Sequence, residues 1–289
     1  MQSAPQLPPQ EVVEFERLVQ FVSEQRCLVL TGAGCSTESG IPDYRGEGRP
    51  NPPRTPIQHS EFIERPDVRR RYWARATLGW PTFLKARPNR AHHALAAMER
   101  AGALAGVITQ NVDRLHEAAG SREVVELHGA LADVFCLGCG AHEPRGDVQE
   151  RLLAQNPGWL ERAVRPAPDG DSELDVAEIA EFEVVPCRLC GGVLKPGVVF
   201  FGGNVASDVL ARAWGLFEET EALLVVGSSL TLFSGYRFVR RANETGRPVA
   251  IVNLGPTRAD GPLLGARLSA RAGEVLPRLA EACGITVTF

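Results

Sequence analysis

This 289-residue chain has no long apolar run and few lysines, and its net charge is negative. No hydrophobic stretch approaches the roughly 18 residues that a membrane-spanning helix needs. Residues 1–10 lack both the basic and the apolar segment of a secretory signal. Lys85 and Lys195 are the only lysines, and the other basic residues are arginines. The net charge of −4 disfavours a broadly basic surface, while a local basic patch stays an alternative. We therefore expect a cytoplasmic protein that contacts no membrane and binds no specific nucleic acid.

Hydrophobic residues make up 44% of the chain and charged residues 23%, a composition typical of a globular protein rather than a disordered one. Short apolar runs alternate with segments of helical periodicity, and this alternation favours an α/β fold with a parallel sheet. We predict strands at 27–31, 106–109, 124–127, 223–226, 249–253 and 285–289. Helices are predicted at 11–25, 90–100, 112–119, 208–219, 236–244 and 274–282.

Two stretches interrupt the alternation of strands and helices. Residues 46–87 are rich in Pro and Arg and then in aromatic residues, while residues 133–193 carry cysteines among Pro, Gly and Asp. Neither stretch has the pattern of a parallel α/β sheet. We interpret them as insertions that together form a smaller lobe, with a cleft against the large domain.

Seven cysteines are present, and four of them form two Cys-x-x-Cys pairs, Cys136 with Cys139 and Cys187 with Cys190. Two residues between thiolates let one tight turn present both sulfurs to one ion, and two such turns build a tetrahedral site. Four protein ligands leave no open position, so the pattern predicts a structural zinc ion and a reducing compartment. The alternatives are a chance grouping of buried cysteines and a competing ligand at His142.

A glycine-rich turn at 32–40 directly follows the first predicted strand. Gly32 and Gly34 allow the backbone to approach a pyrophosphate closely. The turn departs from the dehydrogenase fingerprint because Thr37 stands where a third glycine is expected, so a standard oxidoreductase is disfavoured. Cys35, within the turn, is either a packing residue or a reactive thiol.

Small, amide and imidazole side chains follow three later predicted strands. Residues 227–229 and 253–255 lie at strand ends, where parallel sheets bind ligands. His128 follows the predicted strand 124–127, and an imidazole that titrates near neutrality can take a proton from a hydroxyl. Three such strand ends together favour a nucleotide site over ordinary turns between strand and helix. A lone histidine is more often structural or on the surface, so the residue pattern alone leaves that alternative open beside the role of a base.

Several segments share the motifs of one family: GAGCSTESGIPDYRG (32–46), TQNVDRLHEAAG (109–120), ELHGAL (126–131), both cysteine pairs, KPGVVFFGGNV (195–205), VVGSSL (225–230) and IVNLGPTRAD (251–260). From about residue 11 to 280 the chain resembles the sirtuins, which are NAD-dependent protein-lysine deacylases. The segments SGIPDYR, NVDRLH and 69–80 look most like class II sirtuins, the group with the mitochondrial lipoamidase-type enzyme.

This resemblance implies a Rossmann-like NAD-binding domain at 1–47, 88–132 and 194–289. It implies a helical module at 48–87 and a four-cysteine zinc module at 133–193. The implied NAD contacts are Gly32, Ala33, Gly34, Glu38, Asp43, Tyr44, Arg45, Gln110, Asn111, Asp113, Gly227, Ser228, Ser229, Asn253, Leu254, Gly255 and Ala272.

The resemblance also implies a reaction, in which an acyl group leaves lysine and nicotinamide and O-acyl-ADP-ribose are released. His128 is the expected base, and Asn111 and Asp113 are expected to position the nicotinamide. The acyl-lysine protein would bind as an extended strand, against Val199, Phe200, Phe201, Gly202, Leu232 and Phe233. Gly203 departs from the family, because many sirtuins carry an acidic residue there.

Both the preferred acyl group and the class of reaction have alternative interpretations. Tyr72 and Arg75 share a helix face, as in desuccinylase-type sirtuins, where the guanidinium binds an acyl carboxylate. An ordinary Arg-rich helix with a core tyrosine is the other interpretation. Mono-ADP-ribosyl transfer would use the same cofactor residues, and a non-enzymatic NAD-binding module would need no base.

Overall fold

The computed structural model describes residues 9–43, 56–162, 179–261 and 264–289. Its helices are α1 (Pro9–Glu24), α2 (His59–Glu64), α3 (Pro66–Lys85), α4 (Arg90–Arg100), α5 (Leu115–Ala118), α6 (Arg145–Gln155), α7 (Ser207–Glu218), α8 (Phe233–Glu244) and α9 (Ala272–Ala282). Its strands are β1 (Cys27–Thr31), β2 (Leu104–Thr109), β3 (Val124–Glu126), β4 (Gly129–Cys136), β5 (His142–Pro144), β6 (Leu194–Val198), β7 (Ala222–Val226), β8 (Val249–Val252) and β9 (Leu264–Leu268). None of the helices in these ranges is long and apolar enough to cross a membrane.

Six strands form a parallel sheet in the order β3-β2-β1-β7-β8-β9. This order is the doubly wound arrangement of Rossmann folds, so the predicted α/β class is confirmed. Strands β1, β2, β7 and β8 are buried along their whole length, because helices cover both faces of the sheet. The strand order reverses between β1 and β7, and ligands bind such sheets at this switch point.

Two apolar clusters pack the helices onto the sheet. On one face, Leu95 and Met98 of α4 and Leu276 of α9 join the sheet core. On the other face, Phe217 of α7 and Phe238 of α8 pack against the strands. Each of these five side chains is almost completely buried. The two faces hold the strand ends rigid at the edge where the site lies.

A second, smaller lobe has its own core and an antiparallel sheet in the order β5-β4-β6. The helices α2, α3 and α6 pack on it, and Phe62, Trp73 and Leu152 are fully buried in the shared cluster. The indole of Trp73 donates to the Leu194 carbonyl at 3.2 Å. Arg145 lies buried over the Trp73 ring, 5.3 Å from the ring centroid. The predicted small lobe of a helical and a cysteine module is confirmed, and the residue ranges given for the modules stay a prediction.

The structure corrects two elements at the carboxyl end of the chain. Residues 285–289 are not a strand, because Gly284 adopts a φ of +73° and Ile285 N–H bonds back to the Ala280 carbonyl. This closes α9 and turns the chain onto the core, where Val287 packs. The edge strand is instead Leu264–Leu268, which pairs with β8.

Helix α5 is shorter than the predicted 112–119. The Asp113 carboxylate accepts the N–H of Leu115 at 3.0 Å, and Arg114 adopts a φ of +60°, so the helix begins only at Leu115. A side-chain acceptor that captures the first N–H group fixes where a helix starts. Because the turn before the helix is not helical, the residues at 110–114 remain free to line the sheet edge.

Gly227 offers a test of the packing at the switch point. Its φ is +61°, and a Cβ there would overlap the amide nitrogen of Cys35. We expect Gly227→Ala to cost about 3 kcal/mol of folding free energy, from left-handed strain plus the clash. Gly215→Ala, on exposed α7 with open space around it, should instead stabilise by up to about 1 kcal/mol. Urea unfolding of both variants measures this, and equal stabilities would contradict the tight contact.

Candidate active site and metal centre

The glycine turn after β1 lies against the turn after β7. Gly32 N–H donates to the Val226 carbonyl at 3.1 Å, and Gly34 N–H donates to the Gly227 carbonyl at 2.9 Å. A Cβ on Gly34 would lie 2.9 Å from the same Gly227 carbonyl oxygen. Glycine is required on both sides because only bare backbones approach this closely. The contact brings the predicted segments 32–38 and 227–229 together.

Unused donors at this contact fit a phosphate group. Among the described residues, no hydrogen-bond acceptor reaches the N–H groups of Ala33 or Ser228. Ala33 begins a short 3₁₀ turn, and N–H groups at the start of a helical turn favour anions. The Ser228 hydroxyl donates to the Gln110 side-chain oxygen at 2.7 Å, linking this edge to the end of β2. The donor set therefore fits the pyrophosphate of a dinucleotide.

The loop after β8 is held by Arg267, a residue that the sequence analysis did not single out. Asn253 is 8% exposed, and its amide donates to the Gly255 carbonyl at 3.0 Å. Arg267 on β9 donates to the carbonyls of Asn253 at 2.9 Å and Gly255 at 2.6 Å, and pairs with Asp260. Leu254, between them, is 64% exposed. The edge strand β9, which the sequence analysis did not predict, thus carries the guanidinium that shapes the loop. Only a correct prediction of this strand would have pointed to Arg267.

Asn111 and Asp113 meet the glycine turn through Ser36. The Asn111 amide donates to the Gly32 carbonyl at 3.1 Å and to the Ser36 hydroxyl at 3.0 Å. The Ser36 hydroxyl in turn donates to the Asp113 carboxylate at 2.7 Å. Burial raises the pKa of Asp113, and its hydrogen bonds with Leu115 and Ser36 oppose that rise. The two predicted positioning residues therefore share one buried network.

His128 is half-buried at the carboxyl edge of the sheet, between β3 and β4. Its Nδ1 lies 2.9 Å from the Gln110 carbonyl oxygen, and its Nε2 lies 2.8 Å from the Ser234 hydroxyl. A carbonyl only accepts, so Nδ1 carries the proton of the neutral ring and Nε2 offers a lone pair. Burial lowers the pKa of His128, and the bond to Gln110 opposes this. His128 can therefore accept a proton at neutral pH.

Cys35 is a packing residue in a buried cluster with two histidines. The ligand atoms of Cys35, His92 and His116 lie within 4.8 Å of one another. His92 Nδ1 accepts the Asn89 N–H at 3.2 Å, so its Nε2 carries a proton and has no lone pair for a metal. Burial raises the pKa of the Cys35 thiol far above its ordinary value, and His116 bonds Thr31 at 2.9 Å. The cluster belongs to the core under the glycine turn, and the reactive-thiol alternative finds no support.

The turn after β6 lies against the aromatic core of the small lobe. Phe200 lies 5.3 Å from the Tyr72 ring, centroid to centroid. Val199 N–H donates to the His128 carbonyl at 2.9 Å, and Phe201 is 37% exposed. Gly202 adopts a φ of +75° as the turn reverses. The turn is thus joined to the His128 backbone through Val199 and to the aromatic core of the small lobe through Phe200.

The other predicted substrate residues lie near this turn. Leu232 and Phe233 are exposed at the start of α8, 37% and 47% respectively, and directly precede Ser234. Tyr72 is 4% exposed, and half-buried Arg75 follows it on the same face of α3, as the spacing predicts.

The other predicted cofactor residues differ in their contacts and burial. The Glu38 carboxylate accepts the Gly273 N–H at 2.8 Å, where α9 begins at buried Ala272. Asp43 and Ser229 are half-buried. Tyr44 and Arg45 lie outside the described residues.

The four predicted zinc ligands form one cluster. Their sulfur atoms all lie within 4.8 Å of one another, with Cys136 and Cys190 at 3.5 Å and Cys139 and Cys187 at 3.8 Å. Four sulfurs at ~2.3 Å from a tetrahedral zinc are about 3.8 Å apart, so the cluster fits the ion. His142 instead bonds the Asp133 carboxylate at 2.8 Å and is no competing ligand.

Backbone amides support the thiolates. Gly138 N–H donates to Cys136 Sγ at 3.3 Å, and Leu189 N–H donates to Cys187 Sγ at 3.4 Å. Hydrogen bonds from the amides of Cys139 and Gly138 lower the pKa of Cys136 to about 6. Amides that stabilise the thiolate favour the deprotonated form that binds a metal ion. Four thiolates leave no position for a reactant, so the ion is structural.

The metal centre gives a direct test. We expect one zinc ion per purified chain, and Cys187→Ser should lose it and destabilise the small lobe by several kcal/mol, since structural metal binding is coupled to folding. Cys283→Ser, at the end of α9, is the matched control and should retain both zinc and stability. Elemental analysis with thermal unfolding checks both. Full zinc content in Cys187→Ser would contradict the four-cysteine site.

Comparisons with known proteins agree with this geometry. The Sir2 family profile matches residues 32–234. The NAD-dependent protein deacetylase 1 of Streptomyces coelicolor is 52% identical over 260 residues, covering 90% of this chain and 87% of that protein. The mitochondrial NAD-dependent protein lipoamidase sirtuin-4 of Homo sapiens is 48% identical over 278 residues, covering 95% of this chain and 88% of that protein.

A solved structure described as Sir2 with a p53 peptide and NAD+ has the same fold. It superposes with a TM-score of 0.73 at 32% identity, covering 94% of this chain and 99% of that one. The family profile spans more than half of the chain. The two relatives, at 52% and 48% identity, align with 90% and 95% of the chain. The chain therefore belongs to the Sir2 family, the sirtuins.

Proposed function

We propose that this sirtuin removes acyl groups from lysine side chains of proteins, releasing nicotinamide and O-acyl-ADP-ribose. The observation that carries the proposal is the position of His128 at the carboxyl edge of the sheet, where the Gln110 carbonyl holds Nδ1–H and leaves Nε2 as the acceptor, which the Ser234 hydroxyl contacts. NAD-dependent protein deacylation is the activity of its family, and a related Sir2 structure contains a deacetylated peptide with 3′-O-acetyl ADP ribose.

Different residues of the chain would contact the phosphates, the nicotinamide and the ribose of the cofactor. Ala33 and Ser228 offer free N–H groups to the phosphates, and the Asn253 loop offers polar groups at the next strand end. Asn111 and Asp113, held through Ser36, orient the nicotinamide end. NAD, when bound, would supply the electrophilic ribose carbon for the acyl oxygen and the ribose hydroxyl on which the base acts. His128 then takes a proton at Nε2 from a ribose hydroxyl.

The hydrogen bonds around His128 favour its acceptance of that proton. The Gln110 carbonyl fixes the ring orientation and stabilises the imidazolium that forms, because Nδ1–H continues to donate to it. The Gln110 backbone is itself anchored by its N–H, which donates to the Thr31 carbonyl on β1 at 3.0 Å. The base is therefore positioned by the sheet rather than by a mobile side chain.

The peptide segment of the substrate fits as an extended strand between the Phe201 turn and the start of α8. Phe201, Leu232 and Phe233 leave apolar surface exposed there. Strand addition uses main-chain hydrogen bonds, so it gives weak sequence preference. Gly203 lacks the acidic side chain that many sirtuins carry at this point, which removes one contact for basic substrate residues.

The product test uses purified protein, NAD and a panel of acyl-lysine peptides, with all products measured by mass spectrometry. We expect nicotinamide and O-acyl-ADP-ribose, and we expect His128→Tyr to lose at least about a hundredfold in rate, because general-base catalysis contributes that much. His142→Tyr, an exposed small-lobe histidine, is the matched control. Nicotinamide release with a mass gain on the protein and unchanged peptides would instead indicate mono-ADP-ribosyl transfer.

We further propose that Tyr72 and Arg75 favour acidic acyl groups over acetyl. Tyr72 forms a three-ring cluster with Phe62 and Phe200, whose ring centroids lie 5.6 Å and 5.3 Å from its own, and Phe200 directly precedes Phe201. A guanidinium beside that cluster can bind a carboxylate in bidentate fashion. This finer preference is independent of the deacylation itself.

Arg75→Met tests the acyl preference. We expect the succinyl-to-acetyl ratio of kcat/KM to fall about tenfold to a hundredfold, since a hydrogen-bonded charge pair contributes about 1.5–3 kcal/mol. Arg70→Met, on the exposed side of the same helix, should leave the ratio unchanged. An unchanged ratio in Arg75→Met would remove Arg75 from acyl recognition.

A further inference from the structure

Ser234 makes a contact that the proposed deacylation does not use. It is the second residue of α8, and its hydroxyl lies 2.8 Å from Nε2 of His128. Both side chains are half-buried rather than sealed in the core. The contact joins residues 106 positions apart, so it depends on the fold and not on local sequence.

The direction of this hydrogen bond follows from the opposite side of the ring. The Gln110 carbonyl cannot donate, so it takes the Nδ1–H of His128 and leaves Nε2 as an acceptor. The Ser234 hydroxyl must then donate its proton to Nε2. A hydroxyl that donates to an imidazole whose other nitrogen is oriented by a third group is the arrangement that activates a serine nucleophile.

The start of α8 supplies the second requirement for acyl transfer, which is a donor for the developing oxyanion. Leu232, the residue before the helix, makes no side-chain cap. In the part of the chain that the structure describes, no acceptor reaches the N–H groups of Phe233 or Ser234 itself. Unsatisfied N–H groups at a helix start stabilise negative charge, and here they belong to Ser234 and to the residue before it.

The turn that presents Ser234 is constrained. Leu230, between β7 and α8, is 1% exposed and adopts a φ of +57°, a left-handed conformation that costs a branched residue energy. Its N–H donates to the Ser228 hydroxyl at 3.2 Å. A strained and buried residue persists only where its surroundings fix it, so the start of α8 is held in place relative to the sheet.

We propose that Ser234 and His128 form an acyl-transfer dyad that hydrolyses activated acyl esters without NAD. Ser234 Oγ forms a bond to the acyl carbon as the ester C–O bond breaks, and His128 Nε2 takes the serine proton and passes it to the leaving oxygen. Water, activated by the same nitrogen, then releases the carboxylic acid and restores Ser234. The third group is a carbonyl and not a carboxylate, so the reaction is slower than in a full triad.

The experiment measures hydrolysis of p-nitrophenyl acetate by the full chain without NAD. We expect turnover with transient acetylation of Ser234, found by peptide mapping after an acid quench. Ser234→Ala should lose at least about tenfold in rate and lose the adduct. Ser207→Ala, an exposed serine at the start of α7, is the matched control and should behave as the unaltered chain.

A second variant separates chemistry from folding. Ser234→Cys keeps a nucleophile beside His128 and should accumulate an acetyl-thiol adduct at position 234, while its thermal unfolding matches that of Ser234→Ala. If Ser234→Ala hydrolyses the ester at the original rate, His128 attacks by itself and the dyad is overturned. NAD-dependent peptide deacylation is measured on the same preparations, so loss of the esterase alone leaves the proposed deacylase intact.

Discussion

The contact between the backbones of Gly34 and Gly227 is the constraint on which the site depends. It lies where the strand order reverses, between β1 and β7, and it admits no side chain on either residue. Among the described residues no acceptor reaches the N–H groups of Ala33 and Ser228 in the two touching turns, so these donors are available to a ligand. Ser36 then lies within reach of Asn111 and Asp113. One glycine contact thus sets the spacing of the phosphate donors and of the nicotinamide end.

The small lobe provides the opposing wall, and its rigidity has two sources. The four cysteines join its two distant chain segments at one point. The aromatic core joins them again, because Trp73 of α3 donates to the Leu194 carbonyl beside the second cysteine pair. The β6 strand leads from this core into Val199, whose N–H donates to the carbonyl of His128. The metal centre and the base are therefore connected through a single strand, although the metal takes no part in the chemistry.

Much of the site could be predicted from the sequence because its residues follow strand ends. The glycine turn, His128 and Asn253 each come at the end of an apolar run, and parallel strands bring such positions to one edge. Gln110 was implied only by the family resemblance. The two Cys-x-x-Cys pairs were equally predictable, since their spacing matches the metal's geometry. The fold class followed from the alternation of the two periodicities.

The parts that the sequence could not predict depend on tertiary packing. Arg267 acts from an edge strand whose short apolar run gives little signal, and the terminal segment 285–289 has the stronger strand composition but is turned away by Gly284. Ser234 has no motif of its own, and only the fold brings it to His128. The packing of Cys35 with His92 and His116 likewise joins three separate elements.

Hydrogen exchange measured by mass spectrometry, with and without NAD, tests the central claim most directly. The account predicts that NAD slows exchange in the segments 32–40, 227–230 and 253–255, while the zinc-binding segments around Cys139 and Cys190 are unchanged. Slower exchange in the small lobe alone, or no change at the three strand ends at saturating NAD, would contradict a cofactor site built on the Gly34–Gly227 contact.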